Sequence, residues 1–491
     1  MSNRLKQLWN KVYPLGKVIE DTFPLTVLIG LISKVVNRFA PECIKTRWSE
    51  LGKNKRYLLA ATLLGASSLL ILSSTPLNLW MQAKVERIQD WVIAMDFGTH
   101  SDSGEGSGKL EHLYAFVDMD ENTYRSWGEP FLTPRDKLAC LIKTIAAAQP
   151  SLVIVDVDLA RSNQEAPERD GELQKTLAQL PAGPPIILVK SLRKSADPNK
   201  PPTVRQSFLD KTVAESDRLY WAFPIFLRDD SHSIRRWKIA VCAAQDNKTA
   251  LLPSVQLLAY ALQSRGPNGN LLEEMTAQLQ DAEGFCSSPD GGRRNSLVVG
   301  EQVFSLDEDG QENRIFYSMK PGTAPPQIID GAQARPLLIT LPAHSLCSGN
   351  VQPFLNDMLH GRIVIIGASF DDSFDIHETT LGPLPGAVII LNSLRSLFTY
   401  GVQHSLPWPV RVLFCIGLIV LSACCFLYLN HLWGEILSWL FAIMGLPLVF
   451  WAYRQGYFFD FVIFLVTIPI LKIMRKISEK ENAHHNQNKG Q

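Results

Sequence analysis

Leu113-Tyr114-Ala115-Phe116-Val117-Asp118-Met119-Asp120, then Thr133-Pro134-Arg135-Asp136, then Leu152-Val153-Ile154-Val155-Asp156-Val157-Asp158: these three blocks set the architecture of the domain. The first and last blocks are unbroken apolar runs closed by acids, the pattern of strands buried on both faces. Between them Leu138, Leu141, Ile142 and Ile145 recur at helical spacing, and Pro150 ends the pattern. Thr133 is placed to cap this helix, Pro134 to fill its first position and Asp136 to complete a capping box. Strand, helix and strand in fewer than 50 residues make a βαβ unit with parallel pairing.

The alternation continues outward. Gly171 to Leu180 reads as a helix and Pro185 to Val189 as a strand. Leu219 to Phe226 and Lys238 to Ala243 read as strands around a polar turn, Arg228 to Arg236. Pro253 to Gln263 is helical. Arg362 to Ile366 is another buried strand, followed by Gly367-Ala368-Ser369, and Gly386 to Tyr400 is a helix closed by Gly401. Ser264 to Pro336 is polar, so long loops are expected there, with a small β excursion at Leu297 to Leu306 and Arg314 to Met319. The expected class is α/β: a Rossmann-like, three-layer domain with a largely parallel sheet.

Four apolar stretches flank this domain, at 57–74, 410–429, 436–453 and 457–471. About 20 apolar helical residues cross a bilayer, so one transmembrane helix before the domain and three after it are expected. Residues 1–56 carry eleven Lys and Arg against four acids, a balance of +7, and residues 472–491 carry five against two. Cytoplasmic flanks are enriched in Lys and Arg, so both ends are expected in the cytoplasm. The apolar run 23–36, interrupted by Lys34, suits a helix lying in the interface or a re-entrant segment. The chain is neutral overall, which leaves about −10 for residues 57–409 and argues against nucleic acid as a partner. The soluble part, 75–409, is expected outside the cytoplasm, in the periplasm of a bacterial inner-membrane protein.

The chain has eight cysteines. Cys140 in an amphipathic helix and Cys242 in an apolar strand are expected as buried thiols. Cys286 and Cys347, both in polar loops, are left either to bridge or to stay reduced. No Cys/His spacing suggests zinc, and no cofactor is expected.

Several blocks together resemble a known family. They are Val117-Asp118-Met119-Asp120, Gly128, Pro134-Arg135, Val155-Asp156-Val157-Asp158, Arg235-Arg236 and Gly361-Arg362-Ile363-Val364-Ile365-Ile366-Gly367-Ala368-Ser369, with Asp375, Leu381-Gly382, Pro385-Gly386 and Asn392. In order and spacing they resemble the type-two CHASE (CHASE2) domain, an extracellular sensory module of bacterial receptors, over about residues 80 to 405. The resemblance implies a sensory α/β domain followed by three transmembrane helices, usually leading into a cyclase or kinase domain. This chain departs from the family at Phe131-Leu132-Thr133, at Thr379-Thr380-Leu381 and near Ile390, so a pocket shaped by those positions would differ. Residues 472–491 leave no room for an output domain, so a separate effector is the expected partner, with a homodimer expected only by analogy.

Asp118, Asp120, Asp156 and Asp158 should gather at the carboxyl ends of neighbouring strands, where open α/β sheets bind ligands. They would line a ligand site or hold Mg²⁺ or Ca²⁺, or they would cap helices and fix loops, with Arg135 or Arg161 relieving their repulsion. Ser369, Asp375 and His377 follow the turn after the late strand, as a signal-pocket lining or as loop scaffolding. A Ser beside a His and an acid superficially suggests a nucleophile, but no G-x-S-x-G elbow is present, and no enzymatic activity is expected. The functional expectation is a membrane sensor that passes its signal to a separate effector. The alternatives are a non-sensing envelope scaffold and a metal-dependent, membrane-anchored hydrolase.

Overall fold

The computed structural model describes residues 112–429 except 198–199, 229–231, 246–247, 265–270, 282–285, 287–295, 307–312, 323–326, 331–332, 348–351, 403 and 406–407, with scattered positions from 433 to 458. The leader 1–56 with its apolar run 23–36, the first expected span 57–74, most of 436–453, nearly all of 457–471, and the tail 472–491 lie outside the described residues.

The main elements are β1 (Tyr114–Met119), α1 (Glu121–Ser126), α2 (Arg135–Ala147), β2 (Leu152–Val155), α3 (Pro167–Ala178), β3 (Ile186–Val189), α4 (Asp210–Ala214) and β4 (Leu219–Ala222). They continue with α5 (Val255–Gln263), α6 (Leu271–Asp281), β5 (Leu338–Pro342), α7 (Gln352–Leu359), β6 (Ile363–Ala368), α8 (Gly386–Tyr400) and α9 (Trp408–Tyr428). The six strands form one sheet in the order β5-β1-β6-β2-β3-β4. Each pairing within it is parallel.

Strand side chains alternate between faces, and here both faces are apolar. Tyr114, Phe116, Leu152, Ile154, Ile363 and Ile365 join a core with α5 and α8. Ala115, Val117, Val153, Val155, Val364 and Ile366 join a second core with α2, α3 and α7. This double burial explains why the strands read as continuous apolar runs. It also produces the three layers expected. Burying each Leu, Ile or Val contributes about 1.5–3 kcal/mol.

Several local expectations are corrected. Thr133 is not the cap of α2. Pro134 holds that position with no side-chain cap bond, and Asp136 instead faces Arg169 at 3.6 Å. Arg235 and Arg236 lie in a strand, Ile234–Trp237, paired with Phe226–Arg228, rather than in a turn. Ala240–Gln245 and Lys248–Pro253 form a second hairpin, in a separate four-stranded sheet. Ser296–Val299 pairs with Gln302–Ser305 as the expected excursion. Arg314–Met319 carries no strand. The buried Asn392 of α8 pins it: Oδ1 accepts from the backbone of Ser318 and Met319, and Nδ2 donates to Met319 O, each at 2.9 Å.

The cysteines pair differently from expectation. Cys140 bridges Cys347, and Cys242 bridges Cys286, with Cα–Cα distances of 6.1 and 5.5 Å. Both separations lie within the range a disulfide spans. Cys286 and Cys347 therefore do not meet. Each joins a cysteine that its helix or strand leaves only partly buried.

α9 gives 21 helical residues over the second expected span, although several of its side chains fall outside the described set. Among the described residues, no helix is long and apolar enough to cross a membrane. The α/β domain, residues 90–405 with 453–458, is one compact unit, and α9 belongs to another.

Candidate functional site at the carboxyl edge of the sheet

β1, β6 and β2 are neighbours, and their ends set the geometry. Asp118 stands in register with Gly367. The backbone N–H of Asp156 donates to Ile366 O at 2.8 Å, which brings Asp156 to the same level from the other side. By strand parity Asp118 follows Phe116, Gly367 follows Ile365 and Asp156 follows Ile154, so all three face the layer of α5 and α8. Gly367 thus lies between two aspartates. A Cβ there would collide with Cβ of Ala387. The glycine allows the first turn of α8 to seat directly on the sheet edge.

Asp375 completes the cluster. A short hairpin, Ile376–Thr379 with Gly382–Pro385, returns the chain to α8, and Asp375 O accepts the N–H of Gly386 at 2.8 Å. Its carboxylate lies against Gly386, where a Cβ would come within 2.5 Å of Oδ1. A carboxylate at a helix start is favoured by the exposed N–H groups and the helix dipole. His377 Nε2 is 3.3 Å from Asp375 Oδ1, and Arg228 Nη2 is 3.2 Å from His377 Nδ1. Arginine can only donate, so this network assigns the proton of a neutral His377 to Nε2, facing Asp375. Phe374, just before Asp375, is exposed and has a left-handed backbone, φ 54°. This conformation costs energy for a non-glycine residue, and it turns Asp375 toward α8.

The electrostatics are unfavourable to full ionisation. Burial raises the Asp118 carboxyl from its ordinary 3.8 to about 6; the hydrogen bond with Ser369 opposes the rise and the charge of Asp120 adds to it. Asp156 keeps some accessible surface but is hemmed in by protein. Burial, then the charge of Asp375, pushes it well above the carboxylate range. One oxygen of Asp118, Oδ1, is buried without a hydrogen-bond partner among the described residues.

The structure therefore sorts the residues singled out from sequence. Asp118, Asp156, Ser369, Asp375 and His377 come together around the start of α8. Asp120 does not join them: it caps α1, accepting from the N–H and hydroxyl of Thr123 at 2.8 and 2.6 Å. Asp158 fixes its own loop, accepting from Ala160 N and Ser191 Oγ, with Arg205 at 3.7 Å. Arg135 is buried against the same loop. It donates to the carbonyls of Asp158 and Arg161 and faces Asp170 at 3.7 Å, so it does not neutralise Asp118 or Asp156. Ser369 bonds with Asp118, whereas His377 bonds with Asp375 and Arg228. With Asp120 and Asp158 occupied elsewhere, the four-aspartate ion site loses its ligand set. Among the described residues, no group of three or more His, Cys, Asp or Glu is arranged to hold a metal.

Two residues of this edge were missed. Arg228 lay in a stretch read as a turn. Lys190, directly after β3, is buried, paired with Asp210 at 2.5 Å and set over the Trp221 ring. A lysine closing an apolar strand was the available signal.

Comparison with characterised proteins and with solved structures returns no match. The family model for the CHASE2 domain matches residues 59–426. CHASE2 domains are sensory modules, and this chain, matched over most of its length, belongs to that family.

Proposed function

We propose that the chain is a membrane-anchored sensor whose α/β domain lies outside the cytoplasm, reads a stimulus at the carboxyl edge of the sheet and passes the change through α8 toward the membrane. The carrying observation is α8 itself. Its first turn rests on Gly367 between Asp118 and Asp156. Every residue from Gly386 to Leu397 is buried, and 15 residues of helix cover about 22 Å. The helix thus runs from the acidic edge to the opposite, amino edge, where the His112 ring lies 4.3 Å from that of Phe398 in a tilted contact. The chain enters β1 and leaves α8 at that same edge, and both connections lead to the apolar stretches read as spans. A stimulus that neutralises or displaces the buried carboxylates would alter the seat of α8, and α8 continues through Gly401 into α9.

Two disulfides in the domain suit an oxidising compartment outside the cytoplasm. In this reading the signal reaches a separate effector that docks on the basic residues 1–56. The test is crosslinked capture of the full-length protein from its own membranes, with and without residues 1–40. Recovery of an effector with a cytoplasmic domain, lost on deletion while membrane insertion persists, is the expected result. Recovery of only itself and envelope proteins would replace the sensor with a scaffold.

A further inference from the structure

At the amino edge of the sheet, opposite the aspartates, a cleft of about 700 Å³ opens between the end of α2, the end of α7 and the starts of β5 and β6. Gln149, Arg335, Asp357, His360 and Arg362 are among its lining residues. Arg362 is only 6% exposed. Its Nε donates to Met358 O at 2.7 Å, and its Nη1 donates to Tyr114 O and Pro336 O at 3.2 and 3.0 Å. These bonds hold the guanidinium at one orientation on the cleft wall. Among the described residues its Nη2 has no acceptor and no carboxylate pairs with it. A buried cation normally carries an anionic partner, because backbone carbonyls relieve only part of its desolvation.

The surroundings sharpen the imbalance. Arg335 stands exposed at the rim, close enough that its charge, after burial, brings the Arg362 guanidinium down to about 10. The acid of the lining, Asp357, is exposed and makes no ion pair with Arg362 among the described residues. The loops that frame the cleft are tied to each other. Gln149 takes a left-handed backbone, φ 52°, and its carbonyl accepts the N–H of Gly361 at 3.2 Å.

We infer that this cleft binds a phosphate-bearing anion, held by the fixed fork of Arg362 and by Arg335 at the rim. A planar guanidinium with a free edge matches the paired oxygens of a phosphate. The volume far exceeds one phosphate, so the group arrives on a larger molecule. Two sources share this chemistry: a soluble organic phosphate, or an anionic phospholipid headgroup reaching the edge by which the chain enters and leaves the domain. The site does not depend on the sensing role of the opposite edge.

The test is thermal unfolding of the full-length protein. One arm uses detergent with glycerol 3-phosphate against sodium chloride of equal ionic strength. The other uses nanodiscs of phosphatidylglycerol against phosphatidylcholine. Saturating ligand should raise Tm by about 2–4 °C or more. The rise should vanish in Arg362→Lys and shrink in Arg335→Ala. A rise with glycerol 3-phosphate identifies a soluble anion, and a rise only with phosphatidylglycerol identifies a headgroup. No rise in either arm, or an equal rise in wild type and Arg335→Ala, overturns the site.

Discussion

Asp118→Asn should make the protein more stable at pH 8 and leave it nearly unchanged at pH 4. The folded carboxyl holds its proton up to about pH 6, whereas the unfolded one releases it near 3.8. Between those values the folded state binds more protons than the unfolded state, so stability falls as pH rises and levels off above 6. The rise in pKa corresponds to about 3 kcal/mol, which the partial solvent contact of the carboxylate discounts to about 2 kcal/mol. Asparagine keeps the shape and an acceptor for Ser369 but carries no charge beside Asp120. For a domain of this size, Tm at pH 8 should rise by about 4–8 °C. Thermal unfolding of full-length wild type and variant at the two pH values reads the difference. A variant destabilised at pH 8 would refute the reasoning, because it would mean that the Asp118 carboxylate has a favourable cationic partner in the native protein.

Gly386→Ala places a Cβ within 2.5 Å of Asp375 Oδ1. It should cost about 1–3 kcal/mol, readable as a lower Tm, and Asp375→Ala in the same chain should restore most of the loss. Peptide mapping after alkylation without reduction should recover Cys140 with Cys347 and Cys242 with Cys286. Replacing the second pair with serines should cost up to about 4 kcal/mol, the loop entropy for its 44-residue separation.

The sheet was legible because its strands are buried on both faces, so β1, β2, β3 and β6 announce themselves as unbroken apolar runs. The aspartates at the ends of β1 and β2 were legible for the same reason, since an acid ends each apolar run. Their grouping was not. Asp120 and Asp118 are two residues apart, yet one is consumed by a local cap and the other turns toward α8. Asp375 comes from far along the chain, delivered by a hairpin whose sequence carries no strong strand signal. β5 was missed because it is a short edge strand bounded by Pro336 and Pro342. The disulfides were misread because exposure inferred from one element does not say which distant element covers it. α2 and the segment after β5 meet only in the folded domain.

The position of β1 has a consequence for how the domain is made. Both its neighbours arrive late: Tyr114 pairs with Leu338 on one side and Ile363 on the other. Until β5 has emerged neither edge of β1 is covered, and until β6 has emerged one edge stays open; loop closure over that distance must precede any stabilising contact. At about 5–20 residues per second of synthesis, an apolar template with two open edges persists for roughly ten seconds or more. The topology therefore leaves β1 unpaired during synthesis for longer than a sheet built from sequential neighbours would.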